Sequence, residues 1–364
     1  MKCVTKADFD SFRGILVLGE LRNGELMDCS KELMSEARRL ADETGAPLYG
    51  LLLGADTARF ARTLGGYGAD KVFVCEHELL ADYTTEAYAK VICQVVEALR
   101  PDSFLVSATT IGRALAPRCA ARLCTGLNAD CTLLTVSPDE YRRYLTDNST
   151  LKPQEIDAAC EYTGLKMTMP AFGGHMMATI ICPAYRPQMA TVRPGVMTAG
   201  EFDAAKADAC VVERPEFTLE PDDILAEVIE TVKEIKNTVD ITKADIIVTV
   251  GMGIRKDSRR GLALAQELAD VLGGTVGCTR DVMSEGWLDE ARMIGQTGKI
   301  VRPKLYIALG VSGAIQHQGG MKDSGFIVSV NSDAHAPMNE LADVVLPGDL
   351  FEIVPAMIAA AKRQ

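Results

Sequence analysis

The chain of 364 residues lacks any apolar run of the ~18–20 residues that a membrane-spanning helix requires. No hydrophobic signal core follows Met1-Lys2-Cys3-Val4-Thr5-Lys6-Ala7-Asp8, so a cytoplasmic protein is expected. Its eleven cysteines include no Cys-x-x-Cys, and His77, His175, His317 and His335 show no metal-ligand spacing. These absences argue against an iron–sulfur or zinc site and for reduced thiols that act as small core residues. A net charge of −12 with no basic patch to offset it opposes nucleic acid and anionic membranes as partners, which leaves small molecules and other proteins. Low-complexity tracts and short solenoid repeats are absent too.

With 48% apolar and 24% charged residues, the chain suits a globular protein of two domains. From Gly14-Ile15-Leu16-Val17-Leu18 onward, apolar runs at 48–53, 71–75 and 103–108 read as strands. Helical spacing marks Ser30–Thr44, Thr84–Leu99 and Ile111–Leu123, with Ser30 and Thr84 as caps. This alternation predicts a parallel sheet covered on both faces. Residues 133–200 are poorer in helical signal, with short strands at 178–182 and 189–192 among several prolines. Charged, aperiodic sequence near 202–222 sets a domain boundary. It gives an N-terminal domain over 1–210 and a linker plus second domain over 211–364, with an amphipathic helix starting at Ile224.

The second domain opens with a buried strand at 245–250, then Gly251-Met252-Gly253-Ile254-Arg255. Lys256 stands where a dinucleotide fingerprint needs its third glycine, so that signal is weak alone, and neither an acidic ribose partner nor an acid–base pair supports a stand-alone NAD-dependent oxidoreductase. Another strand and turn follow at 275–280, ending in Arg280. The richest stretch is 292–317. There, Gly295-Gln296-Thr297-Gly298 and Gly310-Val311-Ser312-Gly313 flank the apolar run Leu305-Tyr306-Ile307-Ala308-Leu309, and Ala314-Ile315-Gln316-His317 can open a helix. Strand, glycine turn and helix present free N–H groups to a phosphate, although paired βα turns of this kind are also common in α/β domains.

The run Ile294-Gly295-Gln296-Thr297-Gly298-Lys299-Ile300-Val301 resembles a motif of electron-transfer flavoprotein alpha subunits, and Ser312-Gly313-Ala314-Ile315-Gln316-His317 matches that family unaltered. The likeness continues through Gly320-Met321-Lys322-Asp323-Ser324, Asn331, Ala336-Pro337 and Asp349-Leu350-Phe351, and reaches the N-terminal half more loosely. It implies an α/β protein of two domains: an N-terminal parallel-sheet domain packing on a beta subunit, and a C-terminal doubly wound FAD-binding domain. By the same resemblance, Thr279, Arg280, Gln296, Thr297 and His317 surround the flavin ring, with Arg280 and His317 supplying charge or N–H groups, and Cys278 is counted among the cofactor-binding residues. Ile294, Gly295 and Gly298 shape their turn, Ser312, Gly313, Ala314, Ile315 and Gln316 serve the ribityl and pyrophosphate, and Asn331 and Asp349 face the ADP end. The family's Gly-Gly-Arg-Gly is displaced: its arginine position falls on Gly253, so Arg255 either reaches the same anionic group or the contact is absent.

The implied partners are an electron-transfer flavoprotein beta subunit in a heterodimer and an acyl-CoA dehydrogenase or similar flavin dehydrogenase. Thr125–Thr132 and Arg193–Met197 resemble the anaerobe-type, electron-bifurcating branch, in which NADH and ferredoxin exchange electrons with the complex and the beta subunit holds a second FAD. The alternatives are the respiratory, non-bifurcating type, with AMP in the beta subunit, or a flavin-free scaffold. The helix carrying Arg113 and Arg118, which alone read as solvated surface arginines, is placed by the resemblance near the partner subunit.

Overall fold

The computed structural model describes residues 6–171, 176–226, 228–230 and 240–363. One compact unit takes in residues up to 170 and 177–231, and a second is built on 232–364.

In the first unit, β1 (Ile15–Gly19) passes through a ribbon of β2 (Leu21–Arg22) and β3 (Glu25–Leu26) into α1 (Asp28–Thr44). The alternation continues as β4 (Leu48–Gly54), α2 (Ala61–Gly66), β5 (Lys71–Glu76), α3 (Thr85–Leu99), β6 (Ser103–Ser107), α4 (Thr110–Arg122) and β7 (Leu127–Cys131). Then come β8 (Leu133–Thr135), α5 (Pro138–Asn148), α6 (Pro153–Cys160), β9 (Lys166–Ala171), β10 (Met176–Ile180), β11 (Gln188–Val192), α7 (Ala204–Ala209) and β12 (Val211–Glu213). Seven strands form a parallel sheet in the order β12-β5-β4-β1-β6-β11-β7, while β10-β9-β8 make a separate small sheet. β1, β6 and β11 are buried along their whole length, and apolar clusters cover both faces, which is why β1 reads as an unbroken apolar run and the centre of β6 does too.

The second unit runs β13 (Ile246–Val250), α8 (Ser258–Leu272), β14 (Thr275–Cys278), α9 (Arg280–Ser284), β15 (Leu305–Leu309) and α10 (Ile315–Gln318). It closes with β16 (Ile327–Asn331), α11 (Pro337–Leu341), β17 (Val344–Pro347) and α12 (Leu350–Ala361). Its five strands are all parallel in the order β14-β13-β15-β16-β17. The chain leaves β13 to one side for β14 and to the other for β15, so the order reverses between β13 and β15. A crevice is expected there, at the carboxyl ends.

Several expectations need correction. Ser30 lies inside α1, fully buried, and its hydroxyl accepts the Glu20 N–H at 2.9 Å; Met27 occupies the cap position. The supposedly helix-poor region holds α5 and α6, both opened by a proline in the first turn, where its missing N–H costs nothing. β12 pairs in parallel with β5, so the first sheet takes a strand from beyond residue 210. Residues 224–226 and 228–230 are not helical, and the remainder of the helix expected from Ile224 largely lies outside the described residues. Arg113 and Arg118 are half-exposed but paired, with Asp130 and Glu86 respectively. All ten described cysteines are free thiols. Among the described residues no helix is long and apolar enough to cross a membrane, and no cluster of histidine, cysteine and carboxylates could hold a metal.

Candidate functional site

The carboxyl ends of β13, β14, β15 and β16 converge on a cleft of about 460 Å³, within the range of small-molecule sites. Its floor is backbone. Gly310, at φ +59°, packs so tightly on Gly253 that a Cβ on Gly253 would stand 2.6 Å from the Gly310 Cα. No side chain fits at Gly253 with this backbone, so the arginine position of the Gly-Gly-Arg-Gly pattern offers only backbone here. Gly313, at φ +82°, makes the second turn possible: a Cβ there would meet the Met338 amide nitrogen at 2.3 Å.

This turn leaves backbone donors without partners. Among the described residues, the backbone N–H groups of Ser312, Gly313, Ala314, Ile315 and Gln316 have no acceptor within the chain. Their carbonyl counterparts are engaged: Ser312 O accepts Met338 N at 3.2 Å, and Gly313 O accepts the Gln318 amide at 2.8 Å. Asn331, 8% exposed, donates to Val311 O at 2.8 Å and so fixes the turn from β16.

The opposite wall is the 293–299 loop, tied to β14 and to the helix turn beyond β15. Ile294 N donates to Cys278 O at 2.9 Å, and Gln296 N donates to Gln316 O at 2.7 Å. His317 locks the same loop from below. Its Nδ1 lies 3.0 Å from the Ile294 carbonyl oxygen, which can only accept, so Nδ1 carries the proton. Nε2 is therefore the acceptor for the Tyr306 hydroxyl at 2.8 Å. Burial pushes the imidazole down to about 4, so the ring is neutral at ordinary pH. The expectation that His317 supplies charge, or a free N–H, at the ring is thus corrected: both ring nitrogens are already spent.

Charge comes instead from Arg280, exposed at the start of α9 and the sole fully cationic side chain among the described residues lining the cleft. Beside it the Thr279 hydroxyl is buried with no hydrogen-bond partner. The structure thus gathers Thr279, Arg280, Ile294, Gly295, Gln296, Thr297, Ser312, Gly313, Ala314, Gln316, His317 and Asn331 around one cleft. It leaves Arg255, Cys278, Gly298, Ile315 and Asp349 out of the lining. Arg255 is exposed beyond the rim, Cys278 and Gly298 shape the loop through backbone contacts, Ile315 is 39% exposed, and Asp349 caps α12 by accepting Phe351 N at 2.9 Å. Met252, Asp281, Met293, Val311, Asp333 and Ala336 also line it and were not singled out from sequence. Only the strand-end position of Met252 and Asp281 could have pointed to them.

Comparison with known proteins decides the family. Residues 15–219 match the electron transfer flavoprotein domain, and residues 240–322 match the electron transfer flavoprotein FAD-binding domain. The chain belongs to the electron-transfer flavoprotein family and is alpha-subunit-like. It is similar to the acryloyl-CoA reductase electron transfer subunit beta of Anaerotignum propionicum, at 54% identity over 98% of both chains. It is 43% identical to an electron transfer flavoprotein subunit alpha of Thermoanaerobacterium thermosaccharolyticum, over 97% of this chain and 99% of that one. A third relative, lactate dehydrogenase (NAD(+),ferredoxin) subunit LctC of Acetobacterium woodii, is 38% identical over 96% of this chain and 77% of its own.

The cleft suits the FAD of this family by its donor set. Unpaired N–H groups at a glycine turn fit a pyrophosphate, and the orphaned Thr279 hydroxyl and the Arg280 guanidinium fit a polar, electron-accepting ring. Buried Met293, Ile294 and Val311 give the apolar wall such a ring needs.

Proposed function

We propose that this chain is the alpha subunit of a heterodimeric electron-transfer flavoprotein. It holds one FAD and relays single electrons between NADH or the beta subunit and an acyl-CoA dehydrogenase-type partner. The observation that carries the reading is the row of acceptor-free N–H groups from Ser312 to Gln316 at the reversal point of the second sheet. FAD, when bound, supplies the redox chemistry, accepting a hydride or single electrons and releasing electrons one at a time. The chain's own residues bind and tune it. The 312–316 turn takes the phosphates, Arg280 adds a positive charge at the rim, and Thr279 offers a buried hydroxyl. The Tyr306–His317–Ile294 chain of hydrogen bonds holds the Gln296-Thr297 wall in place without adding charge.

The reading extends to flavin-based electron bifurcation, with ferredoxin as a second acceptor and a further FAD in the beta subunit. Its support is the anaerobe-type pattern of residues 125–132 and 193–197 and the NAD(+) and ferredoxin in the printed name of the LctC relative. The test is the cofactor content of the complex coexpressed with its beta subunit. A flavin spectrum with two FAD per heterodimer, reduced directly by NADH under anaerobic conditions, is expected. One FAD with AMP, unreactive to NADH but reduced by a reduced acyl-CoA dehydrogenase, returns the protein to the respiratory type. No flavin at all overturns the assignment.

A further inference from the structure

Although the chain carries a net charge of −12, Arg255 and Lys256 in the turn between β13 and α8 and Arg259 and Arg260 in the first turn of α8 are all exposed. Bulk charge conceals this patch, and the sequence-level expectation of no basic patch misses it. Cations elsewhere are mostly neutralised: Arg38, Arg39, Lys71, Lys90, Arg118 and Arg193 each sit within ion-pair distance of a carboxylate. At the patch, two carboxylates cap helices and offset part of the positive charge, Asp349 as an ion pair with Lys256. Asp257 accepts Arg260 N at 3.0 Å, and Asp349, 4.0 Å from Lys256, accepts Phe351 N. Among the described residues Arg255 and Arg259 have no carboxylate partner, Arg260 lies over the Phe351 ring at 5.4 Å, and Glu352 in the first turn of α12 pairs with none of them. The cluster begins two residues after Gly253, which lines the cleft together with Met252.

From this placement we infer that the 255–260 patch is the docking surface for an acidic one-electron carrier protein, held close to the cofactor cleft by charge. The inference rests on the reading that the cleft holds FAD. Unpaired cations on a surface add little to folding, but their field speeds encounter with an oppositely charged partner and fixes its orientation. The net acidity of the chain opposes such a partner in general, and this cluster of four cations favours its approach locally. Lys256 and Arg259 lie outside the cleft lining, which separates docking from cofactor binding.

The test measures binding of a fluorescently labelled, oxidised acidic iron–sulfur ferredoxin to the complex coexpressed with its beta subunit, by anisotropy at low and high salt. The expected result is binding that weakens as salt rises. In the Lys256→Glu/Arg259→Glu variant it should be weaker by about tenfold or more at low salt and nearly salt-independent, with FAD content unchanged. Arg259→Gln, which only removes one charge, should fall between the two. Equal binding by parent and variants, or no binding by the parent, overturns the docking surface. FAD loss in the variant also overturns it, by assigning the patch to the cofactor's phosphates. A complex without flavin absorbance, by contrast, overturns the cofactor reading itself.

Discussion

At the carboxyl ends of β1 and β6, where the strand order of the first sheet reverses, the crevice is closed by side chains. Glu20, 5% exposed, accepts the Thr109 hydroxyl at 2.5 Å, and its other oxygen, without a hydrogen-bond partner, lies 3.6 Å from Arg22. Thr109 in turn caps α4 by accepting Gly112 N at 3.0 Å, so the carboxylate and the helix end are one network. At the matching place in the second sheet, between β13 and β15, glycines replace side chains and backbone N–H groups remain free. Two parallel sheets with the same kind of reversal thus diverge at the rim. A buried carboxylate tied to a helix cap makes a structural joint, whereas a stripped backbone makes a binding site.

The largest effect should come from putting a side chain where the second rim has none. Gly313→Val adds a branched side chain at φ +82°, 2.3 Å from the Met338 nitrogen, and should reduce bound FAD in the purified complex to less than about a tenth of the parent. Gly273→Ala is the control: at φ +71° its Cβ meets nothing within 4 Å, so it costs only the left-handed strain, roughly 1–2 kcal/mol, and should leave FAD content unchanged. Equal FAD loss in both would mean that the turn matters for folding and not for the cradle.

The contrast explains which parts were legible in sequence. Ile294–Thr297 and Ser312–His317 are contiguous runs whose spacing already describes the turns they make. Met252, Asp281 and Asp333 reach the cleft only because β13, β14 and β16 end beside β15, information held in strand order and not in any local pattern. The helix expected from Ile224 has the right periodicity. Yet Leu225 is 73% and Ile229 95% exposed, so among the described residues its start has no apolar surface to bury against. α5 and α6 fail in the opposite sense: Tyr141, Leu145, Ile156 and Cys160 bury against one another, too few apolar positions to stand out in the sequence.

The next largest effect concerns His317, neutral and buried beneath the second rim. Its basicity is depressed from 6.5 to about 4, so between those values an unfolded chain binds a proton that the folded chain does not. Stability of the second unit should therefore fall as pH drops through that window, by up to roughly 3 kcal/mol, and His317→Gln should flatten the fall in pH-dependent denaturation. Tyr306→Phe leaves Nε2 without its donor and should cost about 1–3 kcal/mol at pH 7. Unchanged pH dependence in His317→Gln would show that the ring is not held neutral.

Arg280→Ala sharpens the comparison at the charged side of the rim. Flavin reduction adds negative charge, which a nearby guanidinium favours, so the variant should keep FAD but lower its first one-electron potential. Because Arg280 is exposed and screened, several tens of millivolts are expected, against ~59 mV for a tenfold change in a one-electron couple. A spectroelectrochemical titration that superimposes on the parent's would remove Arg280 from the ring's surroundings.

The smallest effect belongs to the closed rim of the first unit, and its sign is opposite to that of His317. Burial raises the Glu20 carboxyl above its ordinary 4.5, outweighing the Thr109 hydrogen bond and the Arg22 charge. Above pH 4.5 the unfolded chain gives up its proton while folded Glu20 keeps it, so stability falls as pH rises towards the folded value. Glu20→Gln keeps an oxygen for the Thr109 hydroxyl and removes the titration. Its stability should lie within about 1 kcal/mol of the parent at acid pH, where Glu20 is protonated, and should gain on the parent as pH rises through the window. Native-state hydrogen exchange read at Gly112 and the β1 amides localises the effect to this unit. Parallel protection profiles for parent and variant would mean that Arg22 and Thr109 already hold the ionised form.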